Sequence, residues 1–257
     1  MRQFIVDQLK VEQFDTRKAM GRAAARAVHD KLLTLLKEKE YVNVLFAAAP
    51  SQNEMLAALI SYDDIPWKRV NALHMDEYVA LAPDAPQGFG NFLRNAIFDE
   101  VPFNKVWYLN GNAENLDDEC ARYTGLLEQY PLDIACTGIG ENGHIAFNDP
   151  HEADFNDPKA VKCVNLDERC RNQQVHDGCF AKLDEVPKKA LTLTVPTIMK
   201  AGFIVCVVPA STKAEAVKMT LEGEIGAYCP ATVFRLHSDA TLYLDADSAA
   251  LLSASEN

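Results

Sequence analysis

Phe203-Ile204-Val205-Cys206-Val207-Val208-Pro209-Ala210-Ser211-Thr212-Lys213 is the stretch that decides the fold class. Its first six residues are apolar at every position, and Pro209-Ala210 turn the chain straight into a helical pattern reaching about Leu221. A half-exposed strand would alternate apolar with polar residues, so this one belongs inside a sheet covered on both faces. Val42 to Ala49, Val70 to Met75, Lys105 to Leu109, Leu132 to Thr137, Ala190 to Val195 and Thr241 to Leu244 read as further strands. Helical patterns fall between them: one capped by Asp15 and running to about Leu36, one over Asn53 to Ile60, one over Glu114 to Leu127. Strands alternating with helices predict an α/β fold with a parallel or mostly parallel sheet.

The chain has 257 residues, 25 basic and 37 acidic, for a net charge of −12. That length suits one domain over residues 1–257, and no repeat or Pro/Gly/Ser-rich linker divides it. An acidic chain lacks the basic face that duplex nucleic acid or anionic lipid demands. The seven cysteines form no C-x-x-C pair, which predicts reduced thiols and no zinc site. No apolar run reaches the length of a membrane span and Met1 to Lys10 has no apolar signal core, so a cytoplasmic protein is expected. The polar connection from Asp149 to Lys162 reads equally as a flap over a site or as a surface loop.

Ligands of open parallel sheets bind where strands end and the following loops diverge. Four strand ends here carry suitable residues. Ala48-Ala49-Pro50-Ser51 is small enough for a ligand to approach the backbone, although Ser51 alone also reads as an ordinary N-cap. Ser211-Thr212-Lys213 offers helix N-terminal amides and a cation in a first turn that usually favours Asp or Glu, as an anion site would require. His74-Met75-Asp76-Glu77-Tyr78 places two carboxylates after an apolar strand, of which one faces a ligand and can act as a general base. Gly138-Ile139-Gly140-Glu141-Asn142-Gly143-His144 satisfies G-x-G-x-x-G, but Asn148-Asp149-Pro150 stops any dinucleotide-binding helix. A turn that presents His144, oriented by Asp149, fits better. An anion site, a carboxylate base and a carboxylate-linked histidine together suit acid–base chemistry on a phosphorylated sugar.

Leu73-His74-Met75-Asp76-Glu77-Tyr78, Leu109-Asn110-Gly111-Asn112-Ala113 and Gly138 through His144-Ile145-Ala146-Phe147-Asn148-Asp149-Pro150 resemble the glucosamine-6-phosphate deaminase/isomerase family, and the likeness covers nearly the whole chain. It implies a Rossmann-like three-layer sandwich and conversion of glucosamine 6-phosphate and water to fructose 6-phosphate and ammonia. By motif, Asp76 would move the proton between C2 and C1 and His144 would assist ring opening. The backbone and side chains from Ala48 and Ala49 to Ser51, Gly140 and Lys213 would bind the substrate.

Three positions and one turn depart from the family pattern, the first of them Asp149, which stands where a glutamate usually follows Phe-Asn. Asn142 stands where an aspartate is usual, so the charge orienting His144 would come from Asp149, with Glu141 a lesser helper. Gln174 stands at the position of the phosphate-binding arginine, for which Arg171 or Arg169 would substitute. Ala48 to Ser51 replaces the glycine-rich phosphate turn. The resemblance implies no metal and no organic cofactor; the expected partner is a small amino-sugar phosphate, and a homo-oligomer is left open. Alternatives are a galactosamine-6-phosphate deaminase, a 6-phosphogluconolactonase on a related fold, and a non-catalytic sugar-phosphate sensor. Asp76 together with His144 favours an enzyme.

Overall fold

What covers the decisive strand explains its composition. In the computed structural model, which describes residues 1–253, Phe203, Val205 and Val207 enter one apolar core and Ile204, Cys206 and Val208 enter another on the opposite face. The strands are β1 (Arg2–Val6), β2 (Leu9–Gln13), β3 (Val42–Phe46), β4 (Val70–His74), β5 (Asp76–Tyr78), β6 (Lys105–Trp107), β7 (Ile134–Thr137), β8 (Val161–Asn165), β9 (Lys189–Leu193), β10 (Phe203–Val208) and β11 (Ala240–Leu244). The α-helices are α1 (Arg17–Leu35), α2 (Asn53–Leu59), α3 (Phe89–Leu93), α4 (Leu116–Gln129), α5 (Glu168–His176), α6 (Val195–Ile198) and α7 (Ala214–Glu222).

Eight strands form one sheet in the order β1-β2-β11-β10-β7-β3-β4-β6. Every pair is parallel except the β1–β2 hairpin at one edge. Helices α1 and α2 cover one face: Met20, Ala24, Val28 and Leu32 make an i, i+4 stripe on α1 that packs with Val42, Val44 and Phe46 of β3. Tyr123 and Leu127 of α4 and Val217 and Leu221 of α7 cover the other face. This is the expected α/β three-layer sandwich with a mostly parallel sheet. Each fully buried Val or Leu of the strands contributes roughly 1.5–3 kcal/mol relative to exposure, so both cores hold the sheet.

From β3 the chain builds outward through β4 to β6, then returns to the other side of β3 at β7 and builds through β10 to β11. Such a reversal opens a crevice at the carboxyl ends of the strands where the order changes. A second sheet, β5-β9-β8, is antiparallel. It takes the chain directly from β4, so Asp76, expected just past an apolar strand, lies on a short strand of its own. Ala190 to Leu193 also belongs to this second sheet rather than the central one.

One boundary is corrected. The cap of α1 is Thr16, whose hydroxyl accepts the Ala19 amide, and not Asp15. Past β5, Phe89–Leu93 forms the short helix α3 after Gly88. The connection from Asp149 is pinned, with Lys162 at 2.9 Å from Asp157 and donating to the Glu152 carbonyl.

Candidate active site

The crevice lies where the topology predicts it. It is lined by Ala48, Ala49 and Ser51 after β3, by Met75 and Asp76 after β4, by Gly138 and Gly140 after β7, and by Thr212 and Lys213 after β10. All four strand ends singled out in the sequence therefore meet in one cleft.

Asp76 is 6% exposed, and its carboxylate has no hydrogen-bond partner among the described residues. Burial, aided by the nearby charge of Glu77, holds its carboxyl well above the usual carboxylate range. Glu77 turns the other way and accepts the amides of Tyr78, Phe89 and Gly90 at 2.9, 3.0 and 2.8 Å. Only one of the paired carboxylates faces the cleft. His74 fixes the backbone beside it: Nδ1 donates to the Asp76 carbonyl and Nε2 accepts the Leu109 amide, both at 2.9 Å. Full burial lowers its pKa to about 4, so His74 is a neutral strut.

His144 carries its Nδ1 2.7 Å from Asn142 Oδ1 and 3.1 Å from Asp149 Oδ1. Asn142 in turn donates to Asp149 Oδ1 at 2.9 Å. The amide thus links histidine and carboxylate, and with Nδ1 so held, Nε2 is the free nitrogen. Asp149 is fully buried; burial pushes its carboxyl up, but hydrogen bonds from His144, Asn142 and the Asp167 amide outweigh this and hold it below the ordinary value. Glu141 is no helper to His144, since its carboxylate lies 3.4 Å from His176. Gly140 is obligatory here, because a Cβ would stand 2.2–2.4 Å from the His144 ring atoms. Cys170 joins His144 and Asp149 in a buried group whose ligand atoms lie within 4.8 Å, a set able to hold a metal ion. The sequence paired His144 with Asp149 but did not announce Cys170, which comes from α5.

Lys213 shares the cleft with Ser51 and Thr212, a corner whose groups suit an anion. Lys213 is 5% exposed and forms no ion pair among the described residues. Burial lowers its pKa, while Asp177 and Glu141 pull the other way. Ser51 is not an N-cap: it sits in a short 3₁₀ turn and its hydroxyl accepts Gln52 Nε2 at 3.1 Å.

Arg171 is a correction. Its guanidinium donates to the Leu183 and Val186 carbonyls and does not line the cleft. It lies two residues, just over half a helical turn, from Gln173, and α5 turns Gln173 and Gln174 inward instead. Arg169 donates to the Glu141 carbonyl at 2.8 Å. Arg17 of α1 does line the cleft and was missed, because nothing about its position in the sequence connects it with the motifs.

Residues 15–243 match the family model described as glucosamine-6-phosphate isomerases/6-phosphogluconolactonase. The chain belongs to this family. It is 40% identical over 185 residues to a glucosamine-6-phosphate deaminase of Bacillus cereus, covering 72% of this chain and 69% of that one. It is 36% identical over 211 residues to the Listeria innocua glucosamine-6-phosphate deaminase, covering 82% and 88%. Among solved structures, a monomeric glucosamine-6-phosphate deaminase superposes with a TM-score of 0.85 at 31% identity, covering 94% of this chain and 99% of the other. The 6-phosphogluconolactonase of Trypanosoma brucei superposes with a TM-score of 0.76 at 16% identity, covering 95% and 98%, a likeness of fold. No helix among the described residues is long and apolar enough to cross a membrane.

Proposed function

We propose that this chain is an amino-sugar-phosphate deaminase/isomerase that converts glucosamine 6-phosphate and water to fructose 6-phosphate and ammonia. The observation that carries the reading is the unpartnered carboxylate of Asp76 in the same cleft as the buried, unpaired ammonium of Lys213. A lone buried cation is unfavourable until an anion joins it, and the 6-phosphate supplies that anion. The named activities of relatives at 31–40% identity support the same reaction.

His144, with Nδ1 held by Asn142 and Asp149, uses Nε2 to move the proton that opens the pyranose ring. The open-chain aldehyde at C1 acidifies the C2 proton, so neither metal nor organic cofactor is required. Asp76 takes that proton from C2 as O1 gains one, giving an enolamine, and returns it to C1 as the amine nitrogen gives one up, leaving an imine at C2 beside the C1 hydroxyl. Water adds to the imine carbon, and the amine leaves as ammonia with fructose 6-phosphate as co-product. Asp149 and Asn142 act through the histidine. The two sheets share this one cleft, which fits a single domain over 1–257. Seven free cysteines fit a reducing cytoplasm.

A screen of the purified chain tests the reading. Glucosamine 6-phosphate should give equimolar ammonia and fructose 6-phosphate, with galactosamine 6-phosphate slower and 6-phosphogluconolactone hydrolysed no faster than in buffer. Absence of ammonia from both amino sugars would end the assignment. Lactone hydrolysis in its place would move the chain to the other branch of its family.

A further inference from the structure

The anion-binding corner is short of positive charge. A phosphate monoester carries about −1.5 to −2 at pH 7, whereas Lys213 supplies a single cation with Asp177 also lining the cleft. Arg171 and Arg169 are committed to backbone carbonyls, and Gln173 and Gln174 are neutral. We propose that Arg17, reaching across from the first turn of α1, is the second cation of the phosphate site. This inference rests on the sugar-phosphate reading above.

The packing of two helices puts Arg17 there. Gly21, one turn further along α1, lets that helix touch α2 so closely that a Cβ would stand 2.5 Å from Glu54 Cβ. The close crossing brings Arg17 over the Pro50–Ser51 turn. Its Nη2 donates to the Pro50 carbonyl, and its Nε lies 2.7 Å from Glu54 Oε2. The Nε contact is an ion pair set off the N–H axis, since neither atom completes a hydrogen bond. These two anchors fix the plane of the guanidinium and leave Nη1 without a partner among the described residues. Glu54 stands behind the arginine and does not line the cleft, whereas Arg17, Ser51 and Lys213 all do. A planar fork held at two corners with its remaining nitrogen free is suited to a phosphate oxygen. Ala48 and Ala49 add no bulk, so a phosphate can lie against the turn between the two cations.

Titration calorimetry with inorganic phosphate and with glucosamine 6-phosphate tests this, beside steady-state kinetics. Arg17→Ala should weaken both affinities by about tenfold or more, as for a lost charge-assisted hydrogen bond, and leave kcat within about twofold. Lys213→Ala should behave alike. Arg17→Lys should fall between wild type and alanine. Arg26→Ala removes the same charge from the exposed face of α1 and should match wild type. Undiminished phosphate affinity in Arg17→Ala would overturn the inference, as would wild type that binds no phosphate. A fall in kcat or in melting temperature without a change in phosphate affinity would make Arg17 a structural residue, and also overturns it. Arg17-dependent phosphate binding without ammonia release would keep the anion site and sink only the proposed reaction.

Discussion

Asp76 gives up hydration without gaining a partner, and that sets both its chemistry and its cost. Its raised pKa means that the folded state favours the protonated form. Its contribution to stability is therefore fully present below the ordinary carboxylate pKa and is lost as pH rises through the raised value. Activity runs the opposite way, because the base must be ionised. The acid limb of kcat/KM should lie above the usual carboxylate range. Asp76→Asn should lower kcat by about a hundredfold or more, while raising stability at pH 8 by on the order of 1 kcal/mol and leaving it unchanged at pH 3. Urea melts at the two pH values, beside a pH–rate profile, check both limbs; equal stability of the two proteins at pH 8 would remove the claim of a strained carboxylate. Asp76, His144 and Lys213 were legible in the sequence because each follows an apolar strand and carries a group rarely placed there without reason. Arg17 was not legible, since only the α1–α2 crossing brings it in. Arg171 misled because sequence shows a cation but not the face of α5 on which it falls.

At the scale of elements, the link from β10 to α7 aims Lys213 into the cleft. Ala210 within it has φ 81° and ψ 149°, a backbone region that glycine occupies freely and alanine at a cost of about 1–3 kcal/mol. The strain is held by Asp245 after β11, whose carboxylate accepts the Ala210 amide at 3.1 and 3.2 Å and the Ser248 amide at 2.8 Å. Ala210→Gly should therefore stabilise the protein by about 1 kcal/mol, the relief exceeding the added unfolded-state entropy of glycine. Asp245→Ala should destabilise by about 2 kcal/mol through unsatisfied buried amides and should raise KM as the turn relaxes. Denaturant melts and KM values for the two variants check this; a destabilising Ala210→Gly would show the turn to be unstrained. Central strands such as β3 and β10 were legible because both faces are apolar. The β1–β2 hairpin was not, since its exposed residues, Ile5 among them at 67%, resemble a mixed N-terminal stretch. β5 is three residues long and reads Asp-Glu-Tyr, which by composition is a loop. Only its pairing with β9 makes it a strand.

Over the whole molecule, a net charge of −12 surrounds a cleft in which Lys213 and Arg17 are the two cationic residues. Overall charge governs solubility and long-range encounter, while binding depends on what lines one crevice. That crevice joins segments from residue 17 to residue 213 at a reversal of strand order, and the second sheet brings Asp76 to it. Whether this assembly shelters a proton moved by one carboxylate can be read directly from glucosamine 6-phosphate deuterated at C2. We predict a slower turnover of the labelled substrate and fructose 6-phosphate that retains part of the deuterium at C1, with both product and label transfer lost in Asp76→Asn. Ammonia release that is indifferent to C2 deuteration, and undiminished in Asp76→Asn, would contradict the account.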